Sequence, residues 1–141
     1  MRNIAAIFSM LMPGFGQIYN QQFLKGAFLL FVEHYDNVYG NINTAIHYDF
    51  NGFHQKALEV ANFQYVLFYP GFYAYTVWDA WYHANPDIKK SKTKSAIPFI
   101  IGGFLGEFGA IFASRLAIPT LTVGLMMIIP MIGGMILFKN H

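Results

Sequence analysis

The sequence contains no cysteine, which removes disulfides, thiolate metal ligands and thiol nucleophiles together. Charge is also scarce: 11% of the side chains are Asp, Glu, Lys or Arg, against about a quarter in ordinary soluble domains. A formal net charge of +2 is too small to build a nucleic-acid surface, and the lysines sit largely in one stretch. Also missing are a nucleophile–base arrangement, a phosphate-cradling glycine loop, paired catalytic carboxylates and a zinc-ligand spacing. The glycine-rich runs lie inside apolar segments, without the strand–turn–helix setting that dinucleotide binding requires. These absences argue against an enzyme, and no cofactor is expected.

Apolar surface is what the chain has in excess. Hydrophobic residues make up 55% of 141 positions and aromatic ones 18%. A soluble core of this size cannot hide so much, so a lipid bilayer is expected as the solvent for the remainder. The expected fold is all-α: one membrane domain, a polytopic helical bundle of about five spans. Its punctuation mark is the basic stretch 85–95, which holds Lys89, Lys90, Lys92 and Lys94. Lysines concentrated in a short loop between apolar blocks mark the cytoplasmic side. No small-residue cleavage site follows the first apolar run, so that run is expected to be retained rather than removed as a signal peptide.

Residues 4–32 read as two short apolar pieces, 4–15 and 23–32, around a polar turn with breaking signals at Pro13, Gly14 and Gly16. Each piece falls short of the ~20 residues a straight span needs. A kinked helical hairpin crossing twice is preferred to a re-entrant pair, because lipid-exposed irregular backbone is not tolerated at depth. Residues 33–62 are wetter and read as an extracytoplasmic loop with a short amphipathic helix, Phe53, Ala57, Val60 and Ala61 lying at helical spacing. This segment holds His34, His47 and His54, candidate ligands for a metal or haem, although their spacing matches no known binding pattern.

The aromatic block 63–82 is expected to be a span kinked near its centre by Pro70-Gly71. Asp79 and His83 share a helical face at its end, as a proton-handling or solvated interfacial pair. After the cytoplasmic basic loop (84–95), residues 97–138 read as a tight helical hairpin. Ser95 is the expected cap of its first helix, and Pro98 is expected in the first turn. Gly102, Gly103, Gly106 and Gly109 supply faces that a second helix can approach closely. Glu107 lies about ten residues, or ~15 Å, into that span. An intramembrane carboxylate is expensive and usually functional, which makes Glu107 the leading functional candidate; a packing hydrogen bond is its structural alternative.

The segment Pro13-Gly14-Phe15-Gly16-Gln17-Ile18-Tyr19-Asn20, followed by Lys25-Gly26, resembles the PGxGQxYN…KG segment that opens some Gram-positive sugar permeases. More distantly it is similar to the small two-helix TM-two hairpin domain. The resemblance covers about the first 35 residues. It implies a hairpin whose turn, carrying Pro13, Gly14, Gly16, Gln17, Tyr19, Asn20, Lys25 and Gly26, faces the cytoplasm. The permease loop that would contact an ATPase has no counterpart in the chain.

With the lysine stretch inside, the alternation of spans puts the N-terminus outside and the C-terminus in the cytoplasm. The expected location is the bacterial cytoplasmic membrane, as a multi-pass protein. The expected role is an accessory or assembly subunit of a larger membrane complex, with lipid, other membrane subunits or copies of itself as partners and no nucleic acid. The alternative is an oligomeric transporter or channel subunit in which Glu107 is an ion or proton site.

Overall fold

The structure, a computed structural model, describes residues 2–84 and 91–139, so Lys89 and Lys90 lie outside the described residues. It is all-helical, with no strand among the described residues. Helix α1 (Arg2–Leu11) is joined through the short α2 (Phe15–Tyr19) to α3 (Phe23–Gly40). Three short helices follow: α4 (Ile42–Phe50), α5 (His54–Val60) and α6 (Phe63–Val66). Then come α7 (Tyr69–His83), α8 (Lys92–Ile111), a 3₁₀ turn (Ala113–Arg115) and α9 (Pro119–Leu137). Two of these helices, α8 and α9, are long and apolar enough to cross a membrane.

Several boundaries differ from those expected, each for a local reason. Helix α3 runs on through the segment read as the start of an extracytoplasmic loop, until Asn41 ends it in a left-handed conformation at φ 53°. Asn tolerates that conformation better than most side chains. Pro70 does not kink a span at its centre. It sits in the first turn of α7, where its missing N–H costs no helical hydrogen bond. The aromatic block is therefore a one-turn helix and a longer one rather than a single span.

Ser91, not Ser95, caps α8: its side chain accepts the backbone N–H of Lys94 at 3.3 Å. The helix accordingly starts before the expected position and carries Pro98 in its interior. Glu107 moves with it, to one turn before the end of α8 instead of mid-span. The displaced Ser95 is fully buried, and its Oγ accepts Trp78 Nε1–H at 3.4 Å, tying α8 to α7.

Helices α8 and α9 form the most closely packed pair, and α7 and α1 lie successively against them. The core is aromatic and methionine-rich, with Trp81, Phe99, Val77 and Met131 buried at its centre. Close approach depends on the α8 glycines. A Cβ on Gly102 would stand 2.5 Å from Met127 O, and one on Gly106 2.4 Å from Met127 Cγ. Gly109 faces Met126 and Val123 of α9, while Gly103 faces Ala74 and Gly71 of α7. All four glycines are thus occupied by helices of the same chain.

Many large apolar side chains are exposed on the outside of the molecule. Leu24 is 89% exposed, Leu137 70% and Phe104 68%. Helix α3 is inverted relative to a soluble helix. Its buried positions are Gly26, Leu29, Glu33, Asp36 and Gly40, at helical spacing, while Leu24, Phe28, Phe31 and Val38 face out.

Candidate functional site: a buried polar knot at the end of helix α7

The hairpin turn and the C-terminal half of α7 enclose a polar cluster built around Gln17, which is fully buried. The local chain path puts it there. Gly14 adopts φ 104°, a conformation that favours glycine, and lets the chain reverse between α1 and α2. Gly16 then lies so close to its neighbours that a Cβ would meet Ala5 O at 2.2 Å and Ala80 Cβ at 2.6 Å. Gly26 of α3 closes the turn from the other side, where its Cβ would meet Ile18 at 2.5 Å and Gly14 O at 2.8 Å.

With backbones this close, Gln17 spans three helices. Its Oε1 accepts Ser9 Oγ–H at 3.0 Å. Its Nε2 donates to Thr76 O at 2.9 Å and to Asp79 Oδ2 at 3.0 Å. Asp79 is 2% exposed. It also receives Lys25 Nζ at 3.1 and 3.2 Å on its two oxygens. His83 Nδ1 lies 2.9 Å from Asp79 O and 3.1 Å from Oδ1.

Asn20 Nδ2 donates to Ala80 O at 2.7 Å, meeting one of the carbonyls left without a helical partner at the end of α7. Lys25 brings its positive charge to the same end, where the helix dipole favours a cation. At the other end of α7, Tyr73 OH donates to Met10 O at 2.7 Å, on the last turn of α1.

The knot is chemically saturated. The Gln17 amide uses both its oxygen and its nitrogen, and both Asp79 oxygens accept from Lys25, Oδ2 from Gln17 as well. Asp79 and His83 are adjacent, as the helical spacing implied, but the carboxylate is shared with Gln17 and Lys25 instead of being paired with imidazole alone. A group held this way fastens helices.

The remaining candidates are dispersed. His34 and His47 are exposed and His54 is half-buried. Among the described residues no group of three or more His, Cys, Asp or Glu side chains is placed to hold a metal ion. His54 instead pairs through Nδ1 with Asp49 Oδ1 at 2.5 Å. Asp49, buried in α4, accepts the N–H of Thr120 at 2.7 Å and its hydroxyl at 2.5 Å on Oδ2, so it caps the start of α9 from a distant helix. Burial pushes the Asp49 carboxyl up, but the hydrogen bonds from Thr120 and His54 outweigh it and hold the group below the usual carboxylate value.

Glu107 makes no hydrogen bond or ion pair among the described residues. It is half-buried on the α7–α8 groove, and the nearest atom to a Cβ placed on Gly71 is its Oε1, at 3.8 Å.

Sequence reasoning did not single out the buried Ser9 and Thr76, and it placed the buried Glu33, Asp36 and Asp49 in a segment read as wet. The missed signal was periodicity, since Gly26, Leu29, Glu33, Asp36 and Gly40 recur at helical spacing. Comparison with known proteins finds no matching family model, no similar curated protein and no similar solved structure.

Proposed function

We propose that this chain is a small multi-pass protein of the bacterial cytoplasmic membrane that serves as an accessory or assembly subunit of a larger membrane complex, such as a transporter. The observation that carries the membrane reading is the inversion of α3, which buries two carboxyl side chains and turns Leu24, Phe28 and Phe31 outward. Water would reverse that choice, whereas hydrocarbon rewards it. In this reading α1, α3 and α7 join α8 and α9 as spans. Helices α1 and α3 make the N-terminal hairpin crossing, and both carboxyl groups of α3, Glu33 and Asp36, face inward while His34 faces out.

The sidedness follows the same logic. The hairpin turn packs against the end of α7 that leads into the basic stretch, so both belong to the cytoplasmic face. Helix α4 and the start of α9, joined through Asp49, belong to the opposite face. The resemblance to permease N-termini fits here as a shared hairpin device, with Gln17, Asn20 and Lys25 fastening it to a following helix.

The assembly role is supported by α9. Its outer face exposes Leu125, Ile129, Ile132 and Ile136, and at Gly124 and Gly133 there is open space where a side chain would stand. The glycines of α8 are used within the chain, so a partner helix would find its close approach on α9.

The absence of cysteine makes the topology directly testable. Ser91→Cys and Ser114→Cys both introduce a thiol at an exposed position. In intact cells an impermeant maleimide should label Ser114→Cys and spare Ser91→Cys; the reverse pattern overturns the sidedness, and recovery of the protein in the soluble fraction overturns the membrane reading. For assembly, Gly133→Leu should release proteins that co-purify with wild type in mild detergent, while leaving the thermal unfolding of the subunit unchanged.

A second reading, an oligomeric transporter or channel subunit, draws on one observation: Glu107 lies on a groove without a partner among the described residues. It predicts that Glu107→Gln abolishes flux in reconstituted vesicles with assembly intact.

A further inference from the structure

Helices α7 and α8 part over a groove of about 370 Å³, within the range of small-molecule sites (~300–1,000 Å³). Gly71 and Gly103 make the deepest point possible, since a Cβ on Gly103 would stand 3.4 Å from Gly71 Cα. Tyr75, Trp78, Phe99 and Phe104 line the groove. Glu107 is the one carboxyl group on it, half-buried and without a hydrogen-bond or ion-pair partner among the described residues.

The lining restricts what can bind. An anion meets the carboxylate and is repelled. A neutral amphiphile leaves that carboxylate desolvated and unmatched, which is unfavourable in an apolar setting. An inorganic cation finds too few oxygen ligands to replace its water: no second carboxyl lines the groove, and hard cations take six or more oxygens. A cation with an apolar body satisfies every part of the surface. Its charge lies against Glu107, and its body lies against rings whose faces themselves attract cations. Trp78 already holds one this way, with Lys92 Nζ 6.0 Å from its ring centroid.

We propose that the α7–α8 groove binds a lipophilic organic cation, with Glu107 as its counter-charge and Tyr75 and Trp78 as aromatic contacts. This goes beyond the assembly role, which places partners on the outer face of α9. Binding and partner retention are therefore read separately, and either can fail alone.

The test uses the full chain purified in mild detergent, with tetraphenylphosphonium as probe and protein-free micelles as background. Saturable binding is expected, weakened at least tenfold by Glu107→Gln. Gly71→Leu should weaken it comparably with the charge left in place, because a side chain there enters the groove without a backbone clash. Glu59→Gln, which removes an exposed carboxylate outside the groove, should leave binding unchanged. The neutral triphenylphosphine oxide should bind at least tenfold more weakly than the phosphonium.

No saturable binding by wild type overturns the proposal, including the case in which a second copy of the chain fills the groove. Undiminished binding by a folded Glu107→Gln also overturns it. Should that variant fail to fold, equal binding of the neutral analogue by wild type, or undiminished binding by Gly71→Leu, does so instead.

Discussion

The two ends of the molecule are fastened by the same device with different counter-groups. At the hairpin end, Asp79 of α7 takes Lys25 and Gln17 from the turn and the start of α3. At the other end, beyond the length of α8, Asp49 of α4 takes the N–H and hydroxyl of Thr120 and the imidazole of His54. Both aspartates are almost fully buried and both join elements distant in sequence. Asp79 answers a lysine and a buried amide, in a network that ties α7 to the turn and to the start of α3. Asp49 answers a helix N-terminus and a histidine. The hydrogen bonds from Thr120 and His54 favour the ionised form of the Asp49 carboxylate.

The largest effect expected from breaking this symmetry is at Asp79. Asp79→Ala strips partners from Gln17, Lys25 and His83 at once, and should cost about 3 kcal/mol. That is the low end for removing one member of a buried pair, because Lys25 is partly exposed and can rehydrate. Denaturant unfolding in detergent measures it. A loss within error of zero would mean that the knot does not fasten the hairpin.

Asp49→Ala should cost less, about 1–2 kcal/mol, the usual range for a lost helix cap. Because Asp49 is held below its ordinary value of 3.8, its contribution is complete above that pH. It is lost as the pH falls through the lower folded-state value. Asp49→Asn keeps an acceptor for Thr120 but cannot titrate. Its melting temperature between pH 5 and about pH 2 should therefore fall less than that of wild type. Parallel curves would remove Asp49 as the source.

The smallest effect, and one of opposite sign, belongs to Asp36. Its Oδ2 is buried without a hydrogen-bond partner among the described residues. Asp36→Ala should therefore be neutral or stabilising by up to ~1 kcal/mol, relieving a desolvated oxygen at the expense of some packing. Clear destabilisation would mean that this oxygen has a partner in the membrane-embedded protein.

The different legibility of these residues has a physical basis. The helices, the turn at Gly14 and the close packing of the α8 glycines could be read because they depend on near neighbours and on repetition along one element. The boundaries at Ser91 and Pro70 were misplaced because two serines and two proline roles were locally equivalent, and Ser95 is instead held in the α7–α8 contact with Trp78. Gln17 was recognised as part of a turn motif, yet nothing in its surroundings along the chain names Asp79 as its partner. Glu33 and Asp36 were read as wet because carboxylates usually are, and only the rotation of α3 about its axis turns them inward.

By itself, then, the sequence determined the helical character of the chain, its excess of apolar surface and the concentration of its lysines, all properties of composition and short-range order. The tertiary structure decided which carboxyl groups are matched, at Asp79 and Asp49, and which are left open among the described residues, at Glu107 and at Asp36 Oδ2. That decision rests on distances of about 3 Å between side chains far apart in sequence. Hydrogen bonds and ion pairs are lost over an ångström or two of displacement, whereas hydrophobic burial is non-directional and scales with area.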